Sequence, residues 1–136
     1  MFLEFGEPAK TRKLNGKPGH PVGDLSLMVE WSWRVENKNS ILGGSCSNER
    51  SWPRLFKRLV GKRVRSVEVF GYLPEIAVGL SNGLRVVSFM TADGQPSWAI
   101  IAHKERGTLS VKRGKLHVAA MDPKTASANA RRQGEM

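Results

Sequence analysis

"SWPRLFKRLVGKRVRSVEVF", residues 51–70, decides the fold because its hydrophobic period changes halfway along. Trp52, Leu55, Phe56, Leu59 and Val60 fall at i, i+3, i+4, i+7 and i+8, one stripe of an α-helix, with Arg54, Lys57 and Arg58 opposite. Ser51 is a natural N-cap, Pro53 suits a first helical turn and Gly61 a C-terminal cap, so the spacing predicts a helix over residues 51–60. Burying five large side chains yields roughly 7–15 kcal/mol gross, against about 10–20 kcal/mol for ordering ten backbone residues. Such a helix cannot persist alone and must lie on a sheet. The second half, "VRSVEVF", is strand-like but breaks its alternation, which predicts a bulge.

Toward the N-terminus, "LSLMVEWSWRVE" (25–36) alternates over twelve residues and predicts one long strand with Trp31 and Trp33 facing the core. "SILGGSC" (40–46) reads as a shorter strand ending in a glycine-rich bend. Toward the C-terminus come short strands at about 63–70, 75–80, 84–90, 97–103, 108–112 and 115–119, parted by turns at "GYLP", "SNG", "TADGQP", "KERG" and "KRGK". The expected class is α+β: a mostly antiparallel sheet, a half-barrel or sandwich-like meander, with one amphipathic helix. Residues 1–24, rich in Gly, Pro and Lys, read as an N-terminal arm pinned by Phe2, Leu3 and Phe5. Residues 25–120 read as a single β-rich domain, and 121–136, without apolar periodicity, as a flexible tail.

The 136 residues suffice for one core, and 40% hydrophobic with 25% charged residues is a globular composition. The single cysteine, Cys46, cannot form an internal disulfide, which fits a reducing compartment. Glu4 and Glu7 stand where a signal peptide needs cations, and no run approaches eighteen apolar residues. A cytoplasmic protein of bacterial style is expected.

The net charge of +10 is segregated. Residues 50–67 carry seven cations and no anion, and residues 104–115 carry five cations against Glu105. Clustering focuses field on one face and points to an anionic partner. The candidate binding residues are Arg50, Arg54, Lys57, Arg58, Lys62, Arg63 and Arg65, joined by Lys112, Arg113 and Lys115 of the last hairpin. Against this stands the plain reading, that these are the solvated back of a core helix.

Other constellations read as structural. "GLSNG" (79–83) matches the G-x-S-x-G nucleophile elbow, but the following "LRVVSF" is strand-like where that elbow needs a helix, so a hairpin turn is expected. Cys46 precedes a helix, a setting that can lower a thiol pKa, yet no histidine accompanies it. Gly43, Gly44 and Ser45 beside it offer backbone N–H groups to an anion. His20, His103 and His117 are not at ligand spacing, and the carboxylates Glu30, Glu36, Glu68, Glu75, Asp93 and Asp122 form no pairing motif. No catalytic residue, metal or cofactor is assigned.

"LFKRLVGKRVRSVEVFG" (55–71) resembles the start of an Sm-like RNA-binding domain, where a short basic helix leads into a bent five-stranded barrel. "EIAVGLSNGLRVVSF" lacks that family's Asp-containing loop and its later Gly-bearing nucleotide motif, so its sites are not carried over. Over residues 31–101, "WSWRVE", "ILGGS", "LVGKRVRSVEV", "PEIAVGLSNGLRVVSF" and "PSWAI" resemble small β-rich bacterial domains of the immunity-protein type. That likeness implies a fold and no catalytic site.

The functional expectation is a small, basic, non-enzymatic binding module that contacts nucleic-acid phosphates through the exposed face of helix 51–60. Two alternatives are an interaction or immunity-type protein docking an acidic protein surface through the same cations, and a small-ligand-binding β-barrel. A homodimer through a strand edge is a further possible assembly.

Overall fold

The computed structural model describes residues 1–6, 17, 23–30, 32–91 and 98–120. Among these residues ten strands are formed: β1 (Phe2–Phe5), β2 (Leu25–Val29), β3 (Trp33–Glu36), β4 (Ile41–Gly44), β5 (Val64–Phe70), β6 (Glu75–Leu80), β7 (Arg85–Ser88), β8 (Trp98–Ala102), β9 (Gly107–Lys112) and β10 (Lys115–Ala120). A 3-10 turn, Glu49–Ser51, leads into helix α1 (Trp52–Lys57). The strands make two five-stranded sheets, ordered β1-β2-β8-β9-β10 and β4-β3-β7-β6-β5. The protein is therefore α+β and mostly antiparallel, and among the described residues β1, β10, β4 and β5 are the edge strands. Among the described residues no helix is long and apolar enough to cross a membrane. The expected tail, 121–136, lies outside the described residues, as does most of the expected arm.

The chain divides into two compact units. One comprises Met1–Met28, Ala99–Ser110 and the chain from His117 onward. Here β1 pairs antiparallel with β2, Phe2 opposite Met28 and Phe5 opposite Leu25, so part of the expected arm is an edge strand. Gly23 lies so close to the Phe5 carbonyl that any Cβ would overlap it.

The other unit comprises Val29–Trp98 and Val111–Leu116. In it β7 lies between β3 and β6, with Val86 opposite both Val35 and Val78. Opposed residues of an antiparallel pair share a face. One face thus carries Trp33, Val35, Val86, Ile76, Val78 and Leu80, all buried. The opposite face holds Arg34, which pairs with Glu36 at 2.9 Å, and Arg85, which reaches Glu36 at 3.5 Å.

Three sequence expectations are corrected in detail. The single strand over 25–36 is two strands, β2 and β3, in different sheets, because each half finds its own hydrogen-bonding neighbours; Trp33 is buried as expected, whereas Trp31 lies outside the described residues. The helix is shorter than 51–60: α1 ends at Lys57, Leu59 is buried in the turn that follows, and Val60 is 75% exposed. Ser51 does hold the N-cap position of α1, but with helical backbone angles and no side-chain capping bond; the side-chain cap belongs to the preceding 3-10 turn, where Asn48 accepts a hydrogen bond from the Arg50 N–H. The expected bulge in β5 is present, where the register shifts between Val64 and Ser66.

Candidate functional site

The apolar stripe of α1 is consumed in holding the helix to β3 and β4. The Trp33, Trp52 and Phe56 rings form a triangle with centroids 5.6–6.2 Å apart. The Trp52 indole donates to the Gly44 carbonyl at 3.0 Å. Leu55, buried, rests on Gly43, where an added Cβ would stand 2.9 Å from its Cδ2. Tilted aromatic rings at this spacing attract beyond their area burial. With that side fixed inward, helical geometry leaves Arg54, Lys57 and Arg58 outward, and all three are exposed.

The seven cations of 50–65 are gathered by two anchors. Arg50 belongs to the 3-10 turn and Arg54 to α1, and both line an open cleft of about 290 Å³ with Asn48 and Ser51. The end of α1 and the start of β5 are both tied to the β6–β7 turn. There the Arg58 carbonyl accepts from the Asn82 side chain at 2.8 Å. The Arg63 N–H donates to Ser81 Oγ at 3.1 Å, and its carbonyl accepts from the Ser81 N–H at 2.8 Å. Gly61, at φ +76°, makes the reversal that brings Lys62 and Arg63 back beside Arg58. Arg65 is the extra residue of the β5 bulge. Among the described residues none of these cations forms an ion pair; the pairs there use Arg34, Arg85 and Lys104. Their charge is therefore unspent on neighbouring acids.

Lys112, Arg113 and Lys115 sit elsewhere. They occupy the β9–β10 turn, where an added Cβ on Gly114 would meet Leu73 Cδ2 at 2.9 Å. Leu73 belongs to the turn between β5 and β6, at the other end of that hairpin from Ser81. The two groups are thus separated by the length of β6, roughly 17 Å at the usual rise of an antiparallel strand. Arg113 adopts φ +49° and Gly114 φ +73°. Both central residues of this two-residue turn are left-handed, a geometry that Asn or Gly enters more cheaply than Arg.

The other constellations resolve as structural. Ser81, in the G-x-S-x-G stretch, lies in the β6–β7 hairpin turn and is followed by a strand. Cys46 is exposed and free, with Ser45 Oγ at 4.0 Å. The Gly44 and Ser45 N–H groups do not await an anion, since they donate to Ser47 Oγ and to the Trp33 carbonyl. No metal-binding group of His, Cys, Asp or Glu exists among the described residues. His117 is exposed, and His20 lies outside the described residues.

His103 takes part in a cluster with no sequence signal. Its Nε2 is 2.7 Å from Ser26 Oγ, which donates to Glu4 at 2.5 Å, and the same carboxylate accepts from the Gly23 N–H. Ser26 has one proton and gives it to the carboxylate, so His103 donates through Nε2. The serine is 3% exposed and its partner acid holds the hydroxyl rather than the imidazole, an arrangement that ties strands together and does not activate a nucleophile. A second clamp joins Glu75 to the Met90 N–H and to Ser88 Oγ, each at 3.1 Å. Burial raises the Glu75 carboxyl above the ordinary range, and these two hydrogen bonds pull it partly back.

Comparison of the chain with protein-family models, curated proteins and solved structures returned no match.

Proposed function

We propose that this protein is a small cytoplasmic binding module, not an enzyme, whose partner is a nucleic-acid phosphate backbone. The cations Arg50, Arg54, Lys57, Arg58, Lys62, Arg63 and Arg65 make the contact. The observation that carries this reading is the division of labour in 52–58: the apolar stripe is spent on Trp33, Gly43 and Gly44, while the cations are exposed and free of ion pairs among the described residues. Unpaired guanidinium and ammonium groups on one surface attract phosphates, releasing condensed counterions, and they position a backbone without reading bases. Lys112, Arg113 and Lys115, a β6 length away, serve a polyanion long enough to span both groups.

The test is fluorescence anisotropy with a generic labelled duplex. Five phosphate contacts predict an affinity that falls roughly 500-fold between 50 and 200 mM salt. Neutralising Arg54, Lys57 and Arg58 together to Gln should lower the log–log salt slope by about 2.7, while the melting temperature holds. Absence of binding at 50 mM salt, or a slope untouched by the triple variant, would overturn the proposal.

A further inference from the structure

We infer that the free edge of β5 is a docking site for an extended segment of another protein, one in which apolar and uncharged polar side chains alternate and acids stand at the C-terminal end. This inference concerns the strand edge rather than the outward face of α1; it shares Lys62, Arg63 and Arg65 with the nucleic-acid reading but does not depend on it.

Strand β5 ends its sheet, and among the described residues no strand lies on its outer side. In an antiparallel ladder the backbone groups not used toward β6 point the other way, so β5 offers a row of open donors and acceptors. The bulge removes Arg65 from the ladder, which leaves Ser66–Phe70 as the regular part of that edge.

The register shows what the edge asks of a partner. Val64, Val67 and Val69 lie opposite Leu80, Val78 and Ile76 and therefore share their face. Those three β6 residues are 7%, 2% and 1% exposed, whereas the valines are 41%, 53% and 43% exposed. The apolar face of the sheet thus continues one strand beyond its cover. An added strand with apolar side chains on that face would complete it, since directly opposed pairs are the unit of sheet stabilisation.

Charge selects among strands. Lys62, Arg63 and Arg65 stand at the N-terminal end of β5 without ion pairs among the described residues. In an antiparallel partner the C-terminal end lies beside them, so carboxylates there meet the cations while uncharged side chains face Glu68. A second copy of the chain fits less well. Self-pairing about Val67 sets Arg65 against Val69, which brings no acid to the cations, and self-pairing about Glu68 sets two glutamates opposite each other.

The experiment uses the full chain and two labelled ten-residue peptides, each alternating Val with Thr and closing at the C-terminus in three Glu or in three Lys, read by anisotropy and by hydrogen exchange of the β5 amides. The expected result is saturable binding of the Glu peptide, at least tenfold weaker binding of the Lys peptide, and slower exchange within Ser66–Phe70. A Val67→Thr, Val69→Thr double variant keeps strand-forming residues and should weaken the Glu peptide about tenfold with duplex affinity unchanged. The Arg54, Lys57 and Arg58 to Gln variant should do the reverse, so failure of this inference and failure of the nucleic-acid reading give different results. Equal binding of both peptides, unchanged β5 exchange, or a concentration-dependent dimer abolished by the double valine variant would overturn it, the last in favour of a second copy.

Discussion

Strands β5 and β6 are hydrogen-bonded neighbours that share one apolar face, and they meet opposite fates. Every residue of β6 after Glu75 is buried, and every residue of β5 is exposed. Composition separates their outer faces, Ser66 and Glu68 against Gly79 and Ala77, but not their shared face, where β-branched residues stand on both. Position does. β6 has a strand on each side and β5 has one, so the burial of a valine here is a property of the sheet order rather than of its local pattern.

The largest effect that can break this comparison is a pair of truncations on the face the two strands share. Ile76 and Val69 face each other, with Val67 one pair along. Ile76→Ala should cost about 2–5 kcal/mol, through lost transfer energy and the cavity left behind. Val67→Ala, on a half-exposed edge, should cost at most about 0.5 kcal/mol. Denaturant unfolding of the two variants measures both, and a Val67→Ala loss near that of Ile76→Ala would show that β5 is covered in solution.

A smaller effect sharpens the contrast with polar residues. Ser26 is buried between Glu4 and His103, whereas Ser66 is exposed on β5. Ser26→Ala removes the buried hydroxyl's bonds to Glu4 and His103 together and should cost about 1–3 kcal/mol. Ser66→Ala should stay within about 0.5 kcal/mol. Equal losses would mean that Glu4 and His103 find water when the hydroxyl is gone.

Much of this architecture is legible in the sequence where the signal is local. The α1 stripe, the phase break of β5, and the hairpin turns at Ser81–Gly83 and Arg113–Gly114 follow from spacing and turn chemistry. Asn48 was also readable, as a capping residue just ahead of Glu49 and Pro53. What escapes is set by distant partners. Alternation over 25–36 continues unbroken while the chain leaves one sheet for the other, because side chains alternate identically in both. Val60 obeys the helical spacing and is exposed, since α1 has already ended. The clustering of 50–65 is visible along the chain. Its anchoring to Ser81 and Asn82 depends on pairings 18 to 24 residues apart, and its separation from Lys112–Lys115 on the approach of Gly114 to Leu73, none of which a window of sequence contains.

The smallest effect concerns Glu75, where the two strands join. It opens β6 and pairs with Phe70, the last residue of β5, so it is the one carboxylate on the boundary between the buried strand and the exposed one. Burial raises its folded-state pKa above the unfolded value, despite the opposing hydrogen bonds from Met90 and Ser88. The folded protein therefore holds this proton more tightly than the unfolded chain. Its contribution is fully present below the ordinary glutamate range and is lost as pH rises through the raised value. Gln at this position keeps a carbonyl acceptor and has no charge to desolvate. The stability of Glu75→Gln relative to the parent should thus be more favourable at pH 7 than at pH 4, measured by denaturant midpoints at each pH. A difference independent of pH would show that the carboxylate is solvated when charged, and that the buried character of β6 begins only at Ile76.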